Sequence, residues 1–238
     1  SEDEKLKKEV DDVLERAKRL LDRLREANED VLRKAKEDLD RLLKSNREIL
    51  EELRKIKGLD EIEKIVRELL RENHEVLKRL VKLVKELLDL NLKALKDLMK
   101  LVEELIERLK RALRKKVPEE KLRKLDEEVR RIEEKLKKAL EESKRIVDEI
   151  RRRLKEIEDK SRKIARDIEK ELKDTKRAGP LEERVLERLL KALKEHSDEL
   201  KKVVEELLKL LEEHLREVEK LVRELLADLK RLLDKTRK

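Results

Sequence analysis

The sequence predicts an all-α fold, a single-chain antiparallel up-down-up-down bundle of four long, nearly straight helices, on three observations. The 238 residues hold 70 Lys and Arg, 62 Asp and Glu and 37% apolar residues with no aromatic side chain, a composition of long helices once a period supports it. The apolar residues recur with the α-helical period. The two glycines and two prolines fall at only three places, Gly58, Pro118 and Gly179-Pro180, and cut the chain into four segments of nearly equal length. Helices of similar length joined by short loops pack antiparallel.

Taken in order, the predicted helices span about 2–57, 60–116, 118–177 and 181–236, forming a single domain over 1–238. Arg54, Lys55 and Lys57 close the first on the negative end of its dipole, with Gly58 as a left-handed residue beyond it. Asp60 is expected to cap the second, with Glu63 three positions on. Arg114, Lys115 and Lys116 end that helix, and Pro118 takes the first helical position of the third, followed by Glu119 and Glu120. Lys173, Lys176 and Arg177 close the third before Ala178-Gly179-Pro180, and Glu182 and Glu183 open the fourth.

The second helix shows the core stripe most plainly: Ile62, Val66, Leu69, Asn73, Val76, Leu80, Val84, Leu87, Asn91, Ala94, Leu98, Val102, Leu105 and Leu109. These cover 47 residues in 13 steps, or 3.6 per step, so the stripe runs along an unsupercoiled helix. Such a helix repeats its side-chain directions every 18 residues. Asn28 and Asn46 are 18 apart, as are Asn73 and Asn91, Ser143 and Ser161, and His196 and His214. Counting from the turns groups Asn46, Asn73, Ser161 and His196 in one cross-section, and Asn28, Asn91, Ser143 and His214 in another. Each grouping sets two amides, a hydroxyl and an imidazole inside an aliphatic core. Unpartnered buried polar groups cost about 1–3 kcal/mol each, so a closed ring in which neutral His bridges Ser and Asn is expected. Ser45, His74 and Ser197 flank the first grouping as candidate extensions, whereas Ser1, Thr175 and Thr236 carry no assigned role. Buried amides and imidazoles penalise slipped registers, which is the role of a lone Asn in a coiled-coil core.

With these features the chain resembles designed four-helix bundles of the parametric kind with buried hydrogen-bond networks, and the resemblance covers its whole length. It implies a structural scaffold or assembly module with no evolved activity. The absence of Trp and Tyr departs from common practice in such designs.

Other functions find little support in the residues. Without cysteine there is no disulfide or thiolate site. Neither grouping brings an acid or thiol to its single His, and Glu199 and Glu217, at helical ligand spacing from His196 and His214, are expected to face solvent. No metal, cofactor or catalytic role is therefore expected. The net charge of +8 comes from interleaved signs, so nucleic acid is not an expected partner. No apolar run is long enough for a membrane span and the first residues carry no targeting pattern, so a soluble protein, cytoplasmic in an expression host, is expected. An amphipathic lipid-binding or scaffolding helical protein is the alternative class, although interfacial helices usually carry Trp or Phe at the apolar edge. No partner is required.

Apolar residues number 19 in segment 1–57, 28 in 59–117, 17 in 118–178 and 24 in 179–238, as expected if the second and fourth helices each touch three neighbours. Leu83, Leu90, Leu92 and Met99 widen the second helix beyond that need and mark a candidate self-association band. The buried histidines predict a pH response, because burial disfavours the imidazolium.

Overall fold

A computed structural model of the chain describes residues 2–56, 58–113, 118–177 and 183–236. They form a four-helix bundle of α1 (Glu2–Leu53), α2 (Leu59–Leu113), α3 (Glu119–Arg177) and α4 (Glu183–Thr236). Ladders of i to i+4 backbone bonds are satisfied within each helix, and the 3.6-residue apolar period gives each a face to bury.

The ends of the helices differ in part from expectation. α1 stops at Leu53, and the chain tightens through bonds from Lys55 N–H to Glu52 C=O (3.1 Å) and from Ile56 N–H to Leu53 C=O (3.4 Å). Arg54 and Lys55 thus lie past the helix, not in its last turn. Gly58 is outside the left-handed region and is not a C-terminal cap. It stands directly before α2, and its carbonyl accepts the Ile62 N–H at 3.2 Å, so Gly58 occupies the N-cap position predicted for Asp60. Asp60 instead lies in the first turn with Glu61, favourable to the dipole. Pro118 likewise precedes α3 and offers its carbonyl to Lys121 and Leu122, one position ahead of the expected one. Lys110 and Arg111 fill the last turn of α2, and Lys176 and Arg177 that of α3. Lys57, Arg114 to Lys116, and Ala178 to Glu182 lie outside the described residues.

Each pair of neighbouring helices is antiparallel, as its cross-links show. Along α1 and α2, Glu9 meets Arg108 (3.6 Å) while the later Asn28 meets the earlier Asn91. Glu63 meets Lys176 (2.7 Å) and Lys110 meets Asp126 (3.9 Å) between α2 and α3. Lys135 meets Asp228 (3.2 Å) and Lys160 meets Glu199 between α3 and α4, and α4 returns to α1 through Arg25–Glu219 (3.6 Å) and Asn46–Ser197. The ionic members of this set lie on partly or fully exposed side chains, where a pair contributes little stability. The Lys176 ammonium still holds the Glu63 carboxyl below its ordinary range, and Lys160 does the same to Glu199.

The chain divides into two compact units, and every helix contributes a segment to both. The first comprises 1–30, 86–148 and 212–238, the second 31–85 and 149–211. Within the first, Val10, Leu98, Leu105, Ile106, Val129, Leu225 and Leu229 belong to one aliphatic cluster. Within the second, Leu53, Ile62, Val66, Leu69, Ile168, Leu172, Leu189 and Leu193 form another. The stripe read from α2 is buried throughout except at Val76, which is half-buried. A second row on the same helix, Leu70, Leu77, Val81, Leu88, Leu95 and Ile106, is buried as well. That second row accounts for much of the apolar surplus of α2, and it leaves little of the self-association band uncovered. Leu83, Leu92 and Met99 are half-buried, and Leu90, 45% exposed, is the one exposed large apolar side chain among the described residues.

Candidate functional site

The polar residues that interrupt the aliphatic stripes sort themselves by unit. Asn28, Asn91, Ser143 and His214 all belong to the first, and Asn46, Asn73, Ser161, His196 and Ser197 to the second. All nine are buried except Ser161, which is half-buried.

In the first unit the two amides close on each other. Asn91 Nδ2 donates to Asn28 Oδ1 at 2.8 Å, and Asn28 Nδ2 donates to Asn91 Oδ1 at 3.2 Å. Asn91 Nδ2 also donates to the Leu87 carbonyl one turn back on its own helix (2.7 Å). This pairing uses the Oδ1 of each amide and all of Asn91's donor capacity, so it is self-contained. Ser143 Oγ and both ring nitrogens of His214 find no hydrogen-bond partner among the described residues. The expected ring through the imidazole is therefore replaced by an α1–α2 amide pair and a separate Ser–His corner.

That corner faces a groove between α3 and α4 of about 340 Å³, lined by Ser143 and His214 together with Ala139, Ile146, Val218 and Leu221. Burial holds the His214 imidazole below its ordinary range, and the nearby Glu142 carboxylate works in the opposite sense.

The second unit does not repeat the amide pair. Asn46 Nδ2 donates to Ser197 Oγ at 3.3 Å, so the residue expected as an extension receives the bond instead of His196. The two neighbours on α4 point about 100° apart, and the side of α4 that α1 meets is the Ser197 side. Asn46 Oδ1, both amide atoms of Asn73 and His196 Nδ1 have no partner among the described residues. His196 and Ser161 line a crevice of only about 10 Å³ between α3 and α4. Burial alone holds His196 below its ordinary range.

The other two candidate extensions stay outside this contact. Ser45 is half-buried and His74 is exposed. Ser197→Ala is accordingly expected to cost about 1–3 kcal/mol by leaving the Asn46 amide without its acceptor, while His74→Ala stays within about 0.5 kcal/mol of the parent. Urea unfolding of both variants checks the pair, and the reverse order would contradict the assignment.

One buried polar residue escaped the sequence reading. Thr175 is buried, and its hydroxyl donates to the Glu171 carbonyl one turn back at 2.7 Å. Extending the α3 stripe from Ser161 through Ile164, Ile168 and Leu172 reaches it, so the signal was present.

For chemistry the arrangement is sparse. Among the described residues no group of three His, Asp or Glu side chains is placed to hold a metal ion. Glu199 is half-buried and forms a surface pair with Lys160 beside His196, while Glu217 is exposed on the rim of the His214 groove. No described helix is long and apolar enough to cross a membrane. No protein-family model matches the chain, and no curated protein matches it either.

Proposed function

We propose that the chain is a scaffold or assembly module of designed origin without an evolved activity, in which buried amide contacts fix the register of neighbouring helices. The carrying observation is the reciprocal Asn28–Asn91 pair, set in an aliphatic surround with each oxygen accepting from the other amide. Sliding α1 along α2 by one turn would place both amides against leucine side chains, at about 1–3 kcal/mol for each polar group stranded. Apolar contacts alone discriminate such slips poorly, and a pair of this kind supplies the discrimination. The spare composition agrees with this reading, since the few uncharged polar side chains lie mostly inside the bundle, with Asn28, Asn46, Asn73, Asn91, Ser143, Thr175, His196, Ser197 and His214 all buried.

The near-complete cover of the α2 band supports a monomer, and the buried imidazoles make the scaffold pH-sensitive. Light scattering at pH 7.5 is expected to return the single-chain mass of 28.7 kDa. In a flotation experiment with phosphatidylcholine and phosphatidylserine vesicles the chain is expected to stay at the bottom of the gradient. Flotation would replace the scaffold with the amphipathic lipid-binding alternative, and a doubled mass would make the α2 band an interface.

A further inference from the structure

The two Ser–His corners between α3 and α4 are related by the 18-residue repeat, yet one is open and the other closed. Moving forward 18 residues on α3 and back 18 on α4 carries Ser143 to Ser161, Ile146 to Ile164, His214 to His196 and Glu217 to Glu199. The same shift carries Val218 to Leu200 and Leu221 to Val203, an exchange that leaves the summed aliphatic bulk unchanged, and Ala139 to Ile157 and Glu142 to Lys160, the two differences that alter bulk and charge. Ile157 fills the space above Ser161, and Lys160 reaches across to Glu199, which seals the second-unit corner down to about 10 Å³. In the first unit Ala139 supplies no such bulk. Glu142 and Glu217 stand there as like charges on opposite rims and do not bridge the gap. Glu142 has only a loose contact with the exposed Arg145 of its own helix, at 3.8 Å.

We propose that the groove at Ser143 and His214 is a binding site for a small organic primary ammonium ion, an amine carrying an apolar body. Its volume, about 340 Å³, falls in the range of small-molecule pockets. Just beneath the floor lie Ser143 Oγ and one unprotonated nitrogen of neutral His214, acceptors on side chains each only 4% exposed and without partners among the described residues, which a small side-chain rotation would present to a ligand in the groove. An ammonium group has three donors to present to them. The rim carries three carboxylates, Glu142, Glu217 and Glu224, against the single ammonium of Lys220, a balance that attracts a cation and repels an anion. Val218 and Leu221 give the apolar body a wall to pack on. A bare metal ion is a poor fit, because no three of the His, Asp and Glu groups among the described residues converge.

Tryptamine is a suitable probe, since a chain without Trp, Tyr or Phe adds no emission of its own to the indole signal. Its fluorescence anisotropy is expected to rise to saturation at one tryptamine per chain, while indole-3-propionate, with the same body and opposite charge, binds at least ten-fold more weakly. Ala139→Ile, which adds bulk without changing charge, and Ala139→Ile/Glu142→Lys, which copies the closed corner, are each expected to weaken tryptamine at least ten-fold. Ile157→Ala/Lys160→Glu is expected to open the second corner and raise the stoichiometry to two. Helix content and thermal midpoint by circular dichroism verify folding, and a failure of the filling variants to fold leaves the opening variant as the deciding measurement. The proposal is overturned by absent saturation, by equal binding of the anion, by undiminished binding in folded Ala139→Ile, or by a stoichiometry of one in folded Ile157→Ala/Lys160→Glu.

Discussion

Asn91→Ala is expected to lower the unfolding free energy by about 2–6 kcal/mol, because it strands both the Oδ1 and the Nδ2 of Asn28 at about 1–3 kcal/mol each. Neither atom can turn to solvent, as Asn28 is only 2% exposed. Asn28→Ala should cost less, since Asn91 retains its bond to the Leu87 carbonyl. The double variant Asn28→Leu/Asn91→Leu should be at least as stable as the parent, for it removes both polar groups together and fills the same space with aliphatic atoms. Its cost should appear elsewhere, as a loss of uniqueness: broadened amide resonances, faster hydrogen exchange in α1 and α2, or additional species by light scattering. Urea unfolding of the three variants gives the coupling energy between the two residues. A single variant within about 0.5 kcal/mol of the parent, or a double variant as costly as Asn91→Ala, would remove the amide pair from its proposed role.

The bundle could be read from the sequence because its determinants are local. A 3.6-residue stripe and four turn-forming residues specify helices of a given length, and short connections leave few ways to pack them. Gly58 shows where local reading fails, since the same residue serves a helix's C-terminal end or the start of the next. α1 ends at Leu53 in a tight turn closed by the Lys55 and Ile56 N–H groups, and the Gly58 carbonyl is taken up by Ile62 N–H, so Gly58 serves the start of α2. The inward direction of the polar residues was legible from the 18-residue spacing, which fixes direction around a helix, and all of them but the half-buried Ser161 are buried. Their bonding was not, because Ser197 and His196 differ by one residue in height and about 100° in direction, and only the placement of α1 chooses between them. The contrast between the two Ser–His corners was written in Ala139, Glu142, Ile157 and Lys160 all along, but becomes visible only after α3 and α4 are set side by side in antiparallel register.

Lowering the pH from 7.5 to about 5.5 is expected to weaken the fold before the carboxylates titrate. His196 and His214 are both held below the ordinary value of 6.5 by burial, so the unfolded chain takes up protons first as the pH falls. The stability associated with the neutral imidazoles is full above 6.5 and declines from there until each group reaches its folded-state pKa. The steepest slope two such groups can give is about 2.7 kcal/mol per pH unit, at about 1.4 for each proton. The groups facing them differ. His196 shares its crevice with the Lys160–Glu199 pair, whereas His214 has Glu142 and Glu217 on its rim, and Glu142 offsets part of the burial effect. His214 should therefore protonate first and His196 later. The depressed carboxyls of Glu63 and Glu199 have the same sign but act lower, their contribution being present above 4.5 and lost only as the pH drops through their depressed values. Denaturant midpoints at pH 7.5, 6.5 and 5.5 should thus fall for the parent and stay level for His196→Asn/His214→Asn, with His214→Asn making the upper part of the fall shallower and leaving the lower part, which belongs to His196. A parent midpoint that does not move across this range, or a double variant that falls as steeply as the parent, would leave the imidazoles without a part in the pH response.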